Sequence, residues 1–255
     1  MVYFVDIDDT ICKHDSNIPL DGNRDYSDAI PIKENIDKIN NLYDQGHDIT
    51  YWTARGSRSG KDWLDFTKKQ LDEWGCKYHN VRADKPYYDK FIEDRSLFIE
   101  DVKIFISHRG NIFGEIPELE NKPDYIDEAI SAGYEVEIDV RYIDGIFWLG
   151  HDEAEYEISL EFLTDRADKL WIHAKDTGAL SELLNYPELR VFYHTFEDQT
   201  IISDGHIWTH NLDEITSKSI IPLMDDSYDV NHFKEDFYGV CSDHIEHYKQ
   251  EYLKL

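Results

Sequence analysis

Two carboxylates separated by one residue follow a short apolar run in Phe4-Val5-Asp6-Ile7-Asp8-Asp9-Thr10. A position just past a strand of a parallel α/β sheet lies on its carboxyl edge, where ligands bind. There Asp6 and Asp8 could reach one phosphoryl group together, one attacking phosphorus and the other handling protons. Three further signals follow in order: Thr53 closes the run Ile49 to Trp52, Lys85 precedes Pro86, and Glu93-Asp94 closes Phe91-Ile92. A second set begins at Ser107-His108-Arg109-Gly110 and continues through Glu137-Ile138-Asp139 and Leu149-Gly150-His151-Asp152. Residues two apart on a strand share a face, so Glu137 and Asp139 make a plausible edge for Ca²⁺ or Mg²⁺. Histidines on separate strand ends can serve as acid and base, and a guanidinium such as that of Arg109 can grip a phosphate with two hydrogen bonds.

The elements that must position these residues read as alternating strand and helix. Val2 to Val5 is short, wholly apolar and expected to be a buried parallel strand. A helix opens at Pro31 with Ile36, Ile39 and Tyr43 on one face and stops at Gly46; Ile49 to Trp52 is the next strand. A second helix carries Leu64, Thr67, Leu71 and Trp74 and ends at Gly75, and Phe91 to Asp94 reads as a further strand. The pattern restarts with strand Ile104 to Ile106, a helix from Pro123 to Gly133 and strand Val136 to Val140. More strands are expected at Leu170–Ile172, Val191–Tyr193, Ile207–Trp208, Ile220–Leu223 and Gly239–Cys241. Such alternation predicts parallel α/β sheets, in two domains that meet near residue 101.

Composition narrows the classes. The 255 residues contain 41% hydrophobic and 14% aromatic side chains, enough for real cores. The formal charge of −28 repels nucleic-acid backbones and no compensating basic patch is evident, so a nucleic-acid partner is not expected. Cys12, Cys76 and Cys241 are too few and scattered for a disulfide framework or a zinc site, which favours a reducing, cytoplasmic setting. The start, with Asp6 after four apolar residues, leaves no room for a leader's basic region, and no apolar run approaches the roughly 20 residues of a membrane span. His194, His206 and His210 read as surface or core histidines, and Trp148, Trp171 and Trp208 as packing.

Residues 1 to 101 resemble the haloacid dehalogenase superfamily of phosphatases, through Asp6-x-Asp8-x-Thr10, Thr53, Lys85 and Glu93-Asp94. The resemblance implies a Rossmann-like parallel sheet, Asp6 as nucleophile and Asp8 as the proton-handling group. It further implies Thr53 and Lys85 on the phosphoryl oxygens, and Mg²⁺ held by Asp6, the Asp8 carbonyl, Asp94 and Glu93. Within a second domain of residues 102 to 255, residues 104 to about 245 resemble the glycerophosphodiester phosphodiesterases, whose barrel is shared with phosphatidylinositol phospholipases C, through His108-Arg109-Gly110, Pro117-Glu118, Glu137-Ile138-Asp139, Asp144-Gly145, Gly150-His151-Asp152 and Gly239 to Asp243. This implies a TIM-type (β/α) barrel, here shorter than the ~200 or more residues usual for eight strands. It also implies His108 and His151 as acid and base, Arg109 and Lys175 on the substrate, and Mg²⁺, Ca²⁺ or Mn²⁺ on Glu137, Asp139 and the residue at 173. That residue is His173, where the family has a carboxylate. Together the resemblances imply a bifunctional hydrolase of small phosphorylated compounds, such as glycerol- or sugar-phosphates, or else a phosphatase whose barrel is a non-catalytic module.

Overall fold

The structure, a computed structural model, describes residues 1–14, 24–229 and 236–253. The chain divides into two compact units, Met1–Ile99 and Glu100–Leu255. Both are α/β with parallel sheets. Among the described residues, no helix is long and apolar enough to cross a membrane.

The first unit runs β1 (Val2–Val5), β2 (Cys12–His14), β3 (Ala29–Pro31), α1 (Lys33–Asp44), β4 (Asp48–Trp52), α2 (Leu64–Glu73) and β5 (Asn80–Arg82). β1, β4 and β5 form a three-stranded parallel sheet in that order, and β2 pairs with β3 antiparallel. Ile36 and Ile39 of α1 and Thr67 and Leu71 of α2 bury the faces expected of them. β1 corrects an expectation. It is an edge strand rather than a strand buried on both faces, with Val2 64% and Phe4 54% exposed while Val5 is buried. The strand expected over Phe91 to Asp94 is also absent: residues 91–98 are irregular and exposed, Ile92 to 96%. Two apolar residues between Lys90 and the run Glu93-Asp94-Arg95 offer too little to bury in a sheet.

The second unit runs β6 (Ile104–His108), α3 (Pro123–Ser131), β7 (Glu135–Ile143), β8 (Ile146–Leu149), β9 (Tyr156–Ile158), α4 (Leu160–Thr164), β10 (Leu170–Ala174), α5 (Thr177–Leu183), β11 (Arg190–Phe192), β12 (Gln199–Ile201), β13 (Ile207–Thr209), β14 (Ser219–Pro222), β15 (Gly239–Ser242) and α6 (Ile245–Tyr252). The main path of its sheet is β11-β10-β7-β6-β15-β14-β13-β12, with β8 and β9 as an antiparallel extension of β7. Every neighbouring pair along the path is parallel except β12 with β13.

Alternation along β7 explains the layering. Val136, Ile138 and Val140 pack under α3 and α5 with Ile126, Ala129, Ala179 and Leu183. The opposite face carries Glu135, Glu137 and Asp139, all buried. β10 repeats the pattern, with Leu170, Ile172 and Ala174 on the helical side and Trp171 and His173 on the other. The sheet curls around this second face. Ile104, Ile106, Trp171, Phe192, Trp208, Ile220 and Cys241 form one core there, and Phe192 of β11 stacks on Trp208 of β13 with ring centroids 4.7 Å apart.

The shortened TIM-type (β/α) barrel expected for this half takes the form of a curled half-barrel sheet. β11 meets the β12–β13 turn through the Val191 carbonyl, which accepts from Ser203 N at 2.9 Å, and not through a ladder with β13. Among the described residues, no helix lies between β11 and β15. The buried Trp171 and Trp208 are packing, as expected. An unforeseen hairpin joins β7 to β8. Asp144 (φ 52°) and Gly145 (φ 83°) form its two-residue turn, so Asp144-Gly145 shapes the backbone here.

Candidate functional sites

In the first unit, Asp6 and Asp8 follow β1 as expected. Lys85 Nζ lies 2.9 Å from Asp6 Oδ2, and the Ile7 N–H donates to Asp6 Oδ1 at 2.9 Å. Against burial, the hydrogen bonds of Tyr88 and Asp6 raise the Lys85 ammonium above its ordinary range, so it stays charged. Thr53 is fully buried at the end of β4, and its Oγ1 accepts the Arg55 N–H at 3.1 Å.

Arg55 itself, which the spacing did not single out, is central. Its Nη2 and Nε donate to Asp8 at 2.7 and 3.0 Å, and its Nη1 donates to Gln70 Oε1 at 2.8 Å. His14 Nε2 is 2.8 Å from Asp8 Oδ1, and its Nδ1 is 2.9 Å from Asp28. Burial alone would raise the Asp8 carboxyl; the hydrogen bonds and charge of Arg55, then of His14, outweigh it and hold Asp8 below the ordinary carboxylate range. Asp8 therefore rests as a carboxylate, oriented by Arg55 and His14 and unprotonated. Arg55 was visible in Thr53-Ala54-Arg55, whereas nothing in the pattern marked His14.

The acidic pair at the end of the first set lies elsewhere. Glu93 and Asp94 sit in the exposed irregular segment, where Glu93 accepts from Ser96 Oγ. Among the described residues, neither joins a group of three close potential metal ligands. As placed, with Asp6 held by Lys85, these residues do not assemble the Mg²⁺ set that the resemblance implied.

In the second unit the expected residues converge at the carboxyl ends of the parallel strands. His108 ends β6 and Arg109 follows it, with a left-handed φ of 54° that costs a non-glycine residue about 1 kcal/mol or more. Asp139 and Glu137 lie on β7, His173 on β10, and Lys175 just beyond. The β7–β8 hairpin overshoots and returns, bringing Gly150 N to 3.1 Å from Asp139 O and delivering His151 beside the set.

Opposite charges interlock there. Arg109 Nε lies 2.8 Å from Asp139 Oδ2, and Lys175 Nζ 3.3 Å from Asp139 Oδ1. Asn121 Nδ2 donates to Asp139 Oδ2 at 2.9 Å. Glu137 has His108 Nε2 at 3.7 Å and His173 Nδ1 at 3.8 Å. Burial, then the neighbouring Asp139, raises the Glu137 carboxyl. Burial would raise Asp139 too, but His173, Arg109 and Lys175 together pull it far down. Two residues outside the expected set complete the site: Asp243, 2.8 Å from His108 Nδ1, and Asn111, which donates to Asp243 at 2.7 Å. Burial opposes charging His108, yet the Asp243 hydrogen bond and the Glu137 charge raise it, whereas burial lowers His151. His194 stacks on His173 with centroids 4.6 Å apart, and burial then the His173 charge lower it to about 4.

These residues fit a divalent cation. Glu137 Oε2 is buried without a hydrogen-bond partner, Asp139 Oδ1 is held by ion pairs with Lys175 and His173, and the ligand atoms of Glu137, Asp139 and His173 all lie within 4.8 Å of one another. Two carboxylates and an imidazole suit Mn²⁺ better than Ca²⁺. Gly150, which places His151, has φ 142°, and a Cβ there would fall 2.1 Å from the Glu153 carbonyl oxygen. Gly150→Ala is therefore expected to destabilise the protein by about 2 kcal/mol or more, read as a lowered midpoint in urea unfolding. An unchanged midpoint would contradict that geometry.

No family model matches this chain, and no curated protein matches it. Among solved structures, a crystal structure of a target protein from Vibrio cholerae is similar at 21% identity with a TM-score of 0.33, covering 40% of this chain and 85% of that one.

Proposed function

We propose that the chain is a bifunctional hydrolase of phosphate esters, with a phosphomonoesterase of the haloacid dehalogenase kind in the first unit and a phosphodiesterase on a TIM-type half-barrel in the second. One observation carries the reading: in each unit, groups able to attack or to move protons converge with cations at the carboxyl edge of a parallel sheet. In the first unit Asp6 attacks phosphorus, the ester P–O bond breaks, the leaving oxygen takes a proton from solvent, and an aspartyl phosphate forms while Lys85 offsets its charge. Asp8, kept ionised by Arg55 and His14, takes the proton of the water that cleaves the intermediate.

In the second unit Arg109 and Lys175 hold the phosphodiester oxygens; His151 takes a proton from the water that attacks phosphorus, and His108 gives one to the leaving ester oxygen as its P–O bond breaks. A divalent cation on Glu137, Asp139 and His173 would supply Lewis-acid neutralisation of the phosphate. Assays of an aryl phosphate and of a bis-aryl phosphodiester, with Mg²⁺, Mn²⁺ or Ca²⁺ supplied, test both halves. Failure to turn over either substrate removes the corresponding half. A non-catalytic barrel is the second reading, favoured by the extent to which Arg109, Lys175 and Asn121 already occupy Asp139.

Calorimetric titration of an Asp6→Asn background with Mn²⁺ and Ca²⁺ tests the cation site without turnover. His173→Ala is expected to weaken Mn²⁺ binding about tenfold or more, and His173→Glu to shift preference toward Ca²⁺. Identical isotherms for all three proteins would remove His173 from the ligand set.

A further inference from the structure

Beside Asp6 and Asp8 the first unit has a small cavity of about 200 Å³, lined also by Arg24, Arg55, Arg58 and Tyr87. Three arginines in one cleft are unexpected in a chain with 54 Asp and Glu against 26 Lys and Arg. Their situations differ. Arg55 is committed to Asp8, and Lys85, close by, to Asp6. Arg24 and Arg58 have no carboxylate partner among the described residues. The half-buried Arg24 has its Nε sealed from solvent with no hydrogen-bond partner. Arg58 lies over the Tyr87 ring, its guanidinium carbon 4.8 Å from the centroid, so its plane is steadied while its N–H groups stay available.

A buried guanidinium N–H without an acceptor is unfavourable, and an anion is the partner that relieves it. The phosphoryl group of a substrate at Asp6 is answered by Lys85. Two further arginines therefore exceed what one phosphate needs, and guanidinium forks match a carboxylate or phosphate with paired hydrogen bonds.

We propose that this cleft selects phosphate monoesters that carry a second anionic group, held by Arg24 and Arg58. The proposal rests on the phosphomonoesterase reading for its chemistry, but the anion site itself does not. The cavity is below the roughly 300 Å³ lower end of ordinary ligand pockets, which points to a compact acid or sugar phosphate. Either a carboxylate or a second phosphate would satisfy the arginines.

The test compares phosphoglycolate and 3-phosphoglycerate, which bear a carboxylate, and fructose 1,6-bisphosphate, which bears a second phosphate, with the singly phosphorylated glycerol 3-phosphate and glucose 6-phosphate. For at least one doubly anionic group, kcat/KM is expected to exceed that for the singly phosphorylated esters about tenfold or more. In Arg24→Gln, Arg58→Gln protein the ratio should fall to within about twofold, and in wild type it should shrink as salt is raised. In wild type at low salt, whichever of the carboxylate-bearing and doubly phosphorylated esters shows the preference identifies the second anion. Calorimetry on Asp6→Asn protein with phosphoglycolate and glycerol 3-phosphate gives a readout without turnover. Turnover of all five esters without preference overturns the anion site. Absence of turnover alongside an arginine-dependent binding preference overturns the phosphatase and leaves the anion site standing. Neither turnover nor preferential binding overturns both.

Discussion

Asp6→Asn is expected to lower monoester hydrolysis by on the order of 10³-fold or more, because an amide cannot form the aspartyl phosphate. The substitution conserves shape, and the main loss in the fold is the partly exposed pair with Lys85, whose partner side chain is 36% exposed. Such a pair contributes about 1 kcal/mol or less, so the thermal midpoint should move by only a few degrees. An aryl phosphate assay beside a melting curve separates chemistry from stability. Activity within tenfold of wild type, at saturating Mg²⁺, would remove Asp6 as nucleophile.

His108→Ala is expected to lower phosphodiester hydrolysis by about 10²- to 10⁴-fold, the usual contribution of a positioned acid or base. It should leave monoester hydrolysis within about twofold, because Asp6 and His108 belong to separate compact units. Asp243 loses its imidazole in this variant but keeps the Asn111 amide at 2.7 Å, so the network is thinned rather than left unpaired. His108→Gln, which fills more of the volume, controls for any loss of fold. Equal loss of both activities in well-folded protein would mean that one site does both reactions.

The legible parts of both sites were those written in local pattern. Period-two alternation along Glu135 to Val140 separates three acids from three aliphatic residues, and either face could be read off before any coordinates. Asp6, Asp8, Thr53, His108 and His173 were legible for a related reason, since each closes or follows an apolar run that becomes a strand. Reading every apolar pair this way also misled. Phe91-Ile92 has the residue types of a strand but no inward-facing partners, and it stays outside any sheet with Glu93 and Asp94.

Most of the alternation of strand and helix, the order of the chemical groups and their placement just past strand ends follow from side-chain period and turn residues within a few positions. Tertiary structure decided which of those groups meet. Arg55 clamps Asp8 across 47 positions, and Asp243 reaches His108 across 135, pairings that depend on the order in which strands are laid side by side. It also decided the protonation tendencies of Asp8, Glu137 and His108. Burial and the nearest opposite charge set those, and both are properties of the folded arrangement and not of the chain's local order.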